Sequence, residues 1–369
     1  MKLRCWIGML VMAMSIPATL AAQTHEREID AIFQPLVSPE SPGFAVGVIR
    51  QGKLIFARGF GLSDLKTRQS ISSATNFRLA SFTKQFTAMS IMLLVHDGKL
   101  HYDDALTSIF PDFPEYGKHI TIRNLLNHTS GLIDYEDVYA KQMANTPEDK
   151  IPQLHDADVL RILEQQNTTQ FPPGSRWKYS NSGYVLLGMI VQKVSSERFE
   201  DFLEKRIFAP LGVKHTVAFV NGENQVTNRA FGYSKEGAGW KFSDQSPTSA
   251  TLGDGGIYSS IDDLVKWDKA LADHALLSAA EMKPAITPVQ VEGGVKLDDG
   301  EKSEYGFGWF LDPYRGLQRM WHDGETSGFR TTIQRFPEKG LTVIVLANRT
   351  DANPRELALK VADMFLAQP

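Results

Sequence analysis

Strand-forming patterns occupy both ends of this chain and helix-forming patterns its middle, and few folds satisfy that order. Residues 44–50 and 54–60 read as two strands around Gln51-Gly52-Lys53, and strand patterns return at 306–311, 319–322, 329–336 and 341–346. Between them lie a helical run at 81–96, closed by Asp97-Gly98, and helical patches at 121–127, 156–166, 182–194 and 198–207. Ser260 with Asp263 opens a further helix to about residue 274, and 354–366 reads as a terminal one. The pattern predicts an α+β fold whose antiparallel sheet is built from both termini. On this reading 23–80 and 252–369 form the sheet domain, 81–251 a mostly helical inserted domain, and a site lies in the cleft between them.

The first 22 residues read as separate from that fold. Lys2 and Arg4 precede an apolar run from Cys5 to Ile16, and Ala18, Thr19, Ala21 and Ala22 follow, so the segment reads as a signal peptide cleaved near 21–23. The run is too short for a membrane span, a signal anchor being the alternative. Cys5 is the only cysteine, so the mature chain has no disulfide, thiol nucleophile or cysteine metal site. About 345 remaining residues suffice for a large core without staples. Their formal charge is −6, with no basic block, which argues against nucleic acid as a partner. A periplasmic or secreted protein without a membrane span after cleavage is expected. His25, His119, His155, His215 and His274 have no metal-ligand spacing, and no cofactor is implied.

Three serines stand three residues before a lysine: Ser63 and Lys66, Ser81 and Lys84, Ser175 and Lys178. On a helix that spacing places both side chains on one face, where a neutral amine takes a hydroxyl proton. Ser63 lies in a polar turn, and Ser175 follows Pro172-Pro173-Gly174. Ser81 alone opens a long apolar helical run, where free backbone N–H groups favour developing negative charge. An ordinary helix cap is the competing reading. Two further motifs weigh against it. Tyr179-Ser180-Asn181 precedes an apolar helix, offering a phenol to relay a proton and an amide to orient a carbonyl. His322-Asp323-Gly324 falls between the strand ending at Trp321 and the one starting at Phe329, whereas His96-Asp97-Gly98 reads as a helix stop and Lys235-Glu236-Gly237 as a polar loop.

With Ser81-Phe82-Thr83-Lys84, these motifs resemble the serine β-lactamase-like family of class C β-lactamases, D,D-carboxypeptidases and related esterases and D-aminopeptidases. Phe77-Arg78-Leu79-Ala80, the stretch from Ile120 through Asn127-His128-Thr129-Ser130-Gly131 to Leu132, Gly255-Gly256-Ile257-Tyr258 and Leu346-Ala347-Asn348 extend the resemblance over nearly the whole mature chain. It implies a β-lactamase/transpeptidase-like fold and an acyl-enzyme on Ser81. Lys84 would act as base and Tyr179 as proton relay, while Asn181 would hold Lys84 and the substrate amide. The backbone N–H groups of Ser81 and of Glu325, after Gly324, would form the oxyanion hole, and His128 would be structural.

The chain departs from the pattern at the strand motif. His322 stands where many β-lactamases and penicillin-binding proteins carry lysine, and Glu325 where carboxylate-binding relatives carry Ser or Thr. Glu325 and Asp323 are expected to repel a substrate carboxylate unless turned away, favouring an ester, an amide or a free amine. Asn353 and Arg355 are candidates for carboxylate binding. The leading expectation is an exported serine hydrolase acting on an ester or D-amino-acid peptide, possible substrates including peptidoglycan fragments. The alternatives are a class C-like β-lactamase, or a penicillin-binding sensor or scaffold without turnover.

Overall fold

The two ends of the chain meet in one five-stranded antiparallel sheet. The computed structural model describes residues 18–147, 150–297 and 300–367; most of the segment read as a signal peptide lies outside the described residues. Strands β1 (Phe44–Arg50) and β2 (Lys53–Phe60) form the predicted hairpin, and β3 (Met320–Thr326), β4 (Phe329–Phe336) and β5 (Leu341–Ala347) a C-terminal meander. The order is β3-β4-β5-β1-β2, and the seam between termini runs from Phe44 opposite Ala347 to Arg50 opposite Leu341. Gln51 and Gly52 both take positive φ, the two-residue turn that matches strand twist. Strand β3 is an edge of the sheet.

Among the described residues, α1 (Ala18–Phe33), α4 (Ile261–Ala272) and α5 (Pro354–Leu366) pack on the sheet, and α2 (Lys84–His96) and α3 (Asn181–Ser195) pack on each other. Period-two alternation sends Phe44, Val46, Val48, Val343 and Val345 to one face of the sheet, where Ile29 and Phe33 of α1 and Val361, Ala362 and Phe365 of α5 cover them. Ala45, Ile49, Ile333, Ile344 and Leu346 face the other way, into a large cluster shared with α2, α3 and α4. Helix α2 is buried from Lys84 through Leu94, as a helix apolar on every side must be. Its lysine is thus carried inside the protein.

Four segments differ from the sequence reading. The helical run does not begin as an α-helix at Ser81: Ala80–Thr83 is a 3-10 turn, and α2 starts at Lys84. Residues 306–311 form a loop, because Phe307, Trp309, Phe310 and Leu311 reach the core without a ladder of strand bonds. The His322-Asp323-Gly324 motif lies within β3. Finally, Lys235-Glu236-Gly237 joins a small hairpin of Tyr233–Glu236 with Gly239–Phe242.

Candidate active site

Ser81 sits where the edge of the sheet presses on the start of α2. Phe77–Arg78 pairs with Ile257–Ser259, and the Thr83 hydroxyl accepts a hydrogen bond from the Ile257 N–H at 3.2 Å, pinning the turn to that strand. Ala80 adopts φ of +51°, a left-handed conformation costing a residue with a Cβ roughly 1–2 kcal/mol. On the other side, Thr331 donates its hydroxyl to the Leu79 carbonyl at 2.8 Å, bringing β3 and β4 onto the turn. A Cβ on Gly324 would lie 1.9 Å from that same carbonyl oxygen. Only glycine lets the strand approach so closely.

Lys84 is fully buried, and its ammonium has three partners: Ser81 Oγ at 2.9 Å, Asn181 Oδ1 at 2.8 Å and the Asp254 carbonyl at 3.0 Å. Two of these are obligate acceptors, so when Lys84 is neutral its remaining lone pair faces Ser81. Burial lowers its pKa from 10.5 to about 8, against the opposing pull of Asp254, Asp134 and Glu136. The other two Ser-x-x-Lys spacings form no such pair. Ser63 donates to the Gln69 carbonyl, and Ser175 to that of Pro172, while Lys178 is bound to Gln170.

Tyr179 and Asn181 converge on the same point. Asn181 opens α3, and its backbone N–H donates to Asp134 at 2.6 Å. The Tyr179 ring lies 4.9 Å from Lys84 Nζ with its hydroxyl beside Ser81, and burial holds that hydroxyl well above its ordinary pKa, so it keeps its proton at neutral pH. Behind it stands His128, buried, neutral and with a ring centroid 4.3 Å from that of Tyr179. His322 is buried and held down to about 3, chiefly by burial and then by the Lys84 charge, and is therefore uncharged at neutral pH.

The cavity beside Ser81 has a volume of about 480 Å³. Trp177, Leu297, Phe310 and Trp321 give it apolar walls, and Tyr179, Asn181, His322, Asp323, Glu325 and Arg355 its polar lining. Trp177, Leu297 and Phe310 carry no readable motif, so the sequence reading missed them. It missed Asp134, Glu136 and Asp254 beside Lys84 for the same reason. Glu325 stands opposite Arg330 across the strands and pairs with it at 2.5 Å, with 73% of its side chain exposed. Asp323 is bound by Arg355 at 2.6 Å and by the Thr332 hydroxyl at 2.6 Å. Each acid is therefore answered by an arginine, and the expected repulsion of a carboxylate is largely neutralised. Arg355 does line the cavity, whereas Asn353 is an exposed cap of α5 that accepts from the Glu356 N–H.

The Beta-lactamase family model matches residues 29–368. The chain belongs to the beta-lactamase family. It is thus a member of a serine-hydrolase family. This beta-lactamase-family chain is 31% identical over 358 residues to penicillin-binding protein 4* of Bacillus subtilis, covering 93% of the chain and 76% of that protein. Among solved structures it superposes on an octameric penicillin-binding protein homologue from Pyrococcus abyssi with a TM-score of 0.78 and 26% identity, covering 95% of this chain and 78% of that one. The D-amino acid amidase of Ochrobactrum anthropi SV3, solved with D-phenylalanine, gives a TM-score of 0.75 at 25% identity over 93% and 99% of the two chains.

Proposed function

We propose that this chain is an exported serine hydrolase that forms an acyl-enzyme on Ser81 and acts on esters or amides with an apolar or aromatic group near the scissile carbonyl. The observation that carries this reading is the bonding of Lys84. A buried amine with a pKa near 8, two fixed acceptors and one hydroxyl partner is built to take the proton of Ser81 and no other. Ser81 Oγ then attacks the carbonyl carbon, and the developing oxyanion is received by the backbone N–H groups of Ser81 and Glu325. Removing one such donor typically costs roughly 3–4 kcal/mol of barrier. Tyr179, still protonated, gives its proton to the leaving group and recovers one from Lys84. Asn181 keeps Lys84 aimed at Ser81 throughout.

The walls formed by Trp177, Phe310 and Trp321 support the apolar preference, and the paired charges at the mouth supply no net charge to select an anion. The resemblance to a D-amino acid amidase supports D-amino-acid amides and peptides as the substrate class to test first. Cell-wall-derived peptides belong to that class. Among the described residues no helix is long and apolar enough to cross a membrane. The test is covalent labelling with a fluorescent fluorophosphonate beside turnover of D-amino-acid amides, short acyl esters and a chromogenic cephalosporin. Wild-type protein labels at one site and turns over the first two classes, and Ser81→Ala does neither. Full labelling of Ser81→Ala would overturn the assignment; a single burst on the cephalosporin without other turnover would favour a penicillin-binding sensor instead.

A further inference from the structure

Tyr305 was singled out by no motif, yet it lies at the centre of the buried polar groups behind the site. Its hydroxyl is 3.1 Å from His128 Nε2 and 3.2 Å from His322 Nε2. The outer nitrogens of both rings have partners of one fixed kind. The Ser180 backbone N–H can only donate, so His128 Nδ1 accepts from it at 3.3 Å. The Asp323 carbonyl can only accept, so His322 Nδ1 carries a proton and donates to it at 2.6 Å. For neutral rings the rest follows. His128 is protonated on Nε2 and donates to Tyr305; the bare Nε2 of His322 then takes the Tyr305 proton in preference to the neighbouring Tyr184 hydroxyl, whose own proton goes to the Leu126 carbonyl, because a bare imidazole nitrogen is the stronger acceptor. The chain of bonds runs one way from the backbone before α3 to the backbone of β3.

We propose that Tyr305 is a positioning residue: its hydroxyl joins His128 and His322 into one directed chain that holds Tyr179 against Ser81. The Tyr179 ring lies 4.3 Å from His128 and 6.2 Å from His322, so a shift of either imidazole displaces the phenol. Neither nitrogen of His322 is left to donate to a substrate. The histidine that stands in place of lysine thus acts through Tyr305 and Tyr179. The inference rests on the acyl-enzyme reading above for its catalytic consequence, but not for its tautomers.

Tyr305→Phe removes both bonds and keeps the ring, which packs against Trp177 and Phe310. Turnover per fluorophosphonate-titrated site is expected to fall 10- to 100-fold, with KM changed less than threefold. The acid limb of kcat is set by Lys84 and is expected to stay in place, because His322, held down to about 3, remains neutral through that range. A merely structural role lowers the melting temperature while leaving turnover per site unchanged. In the wild type, two-bond 1H–15N spectra of 15N-histidine-labelled protein at pH 7, assigned with His128→Gln and His322→Gln, show His322 protonated on Nδ1 and His128 on Nε2. An Nε2-protonated or charged His322, or an unaltered kcat in Tyr305→Phe, overturns the proposal. Wild-type protein that fails to label at Ser81 overturns the acyl-enzyme reading instead, and the tautomers are still decided by the spectra.

Discussion

The lowered pKa of Lys84 makes a quantitative claim about rate against pH. If only the neutral amine takes the proton of Ser81, acylation follows the neutral fraction of a group titrating at about 8. That fraction is about 1% at pH 6, about 9% at pH 7, about 50% at pH 8 and about 91% at pH 9. Acylation should rise about ninefold between pH 6 and 7, about fivefold between 7 and 8, and less than twofold between 8 and 9. A lysine at its ordinary 10.5 would instead climb about tenfold per unit through pH 9. A second perturbation fixes the cause. Glu136 titrates at about 7, and its charge helps Lys84 hold its proton. Glu136→Gln should therefore move the acid limb down by about half a unit and sharpen it. The assay is stopped-flow acylation by a chromogenic ester, or fluorophosphonate labelling, at constant ionic strength from pH 5.5 to 9.5. A flat profile between pH 6 and 8 refutes the reasoning. So does a rate still climbing about tenfold per unit at pH 9.5, as for a lysine at its ordinary 10.5, or an upward shift in Glu136→Gln.

Two further outcomes follow from geometry. Gly324→Ala forces a Cβ to within 1.9 Å of the Leu79 carbonyl, so β3 must leave the Ser81 turn, and acylation should fall at least 100-fold while a circular-dichroism melt still shows a folded protein. Glu325→Thr frees the half-buried Arg330 and should favour carboxylate-bearing substrates over neutral esters by roughly tenfold, whereas Glu325→Thr with Arg330→Gln should not. An equal gain in the double variant would return the effect to simple loss of repulsion, measured as the ratio of kcat/KM on the two substrate types.

How far the sequence was legible depends on whether a feature is local. The β1–β2 hairpin is announced by alternation and a glycine turn, and α5 by Pro354 at its first position. Ser81 and Lys84 are three residues apart, so one helical turn brings them together whatever the rest does. Residues 306–311 failed because an apolar run says that side chains are buried, not whether its backbone joins a ladder. The oxygens around Lys84 come from Asn181 and Asp254, 97 and 170 residues away, and no spacing rule connects them. Glu325 shows the limit most clearly. Its identity suggested repulsion, but its partner Arg330 is set by strand register, which composition does not contain.

The features that make this site reactive all oppose folding, and they come from three separate stretches of the chain, around Ser81, Tyr179 and Asp254. Holding Lys84 at about 8 instead of 10.5 means the folded protein binds its proton less tightly than the unfolded chain does. Below pH 8 that difference costs roughly 3 kcal/mol of stability; it is relieved as pH rises from about 8 to 10.5, where only the unfolded lysine is still protonated. Ala80 adds a left-handed backbone, and Asp254 Oδ1, Ser180 Oγ and Trp177 Nε1 are buried without hydrogen-bond partners. The seam of β1 and β5, covered on both faces, supplies what offsets these terms. A sheet closed by both termini thus has a functional reason: it is the rigid support against which a strained turn and a partly neutral lysine can be held.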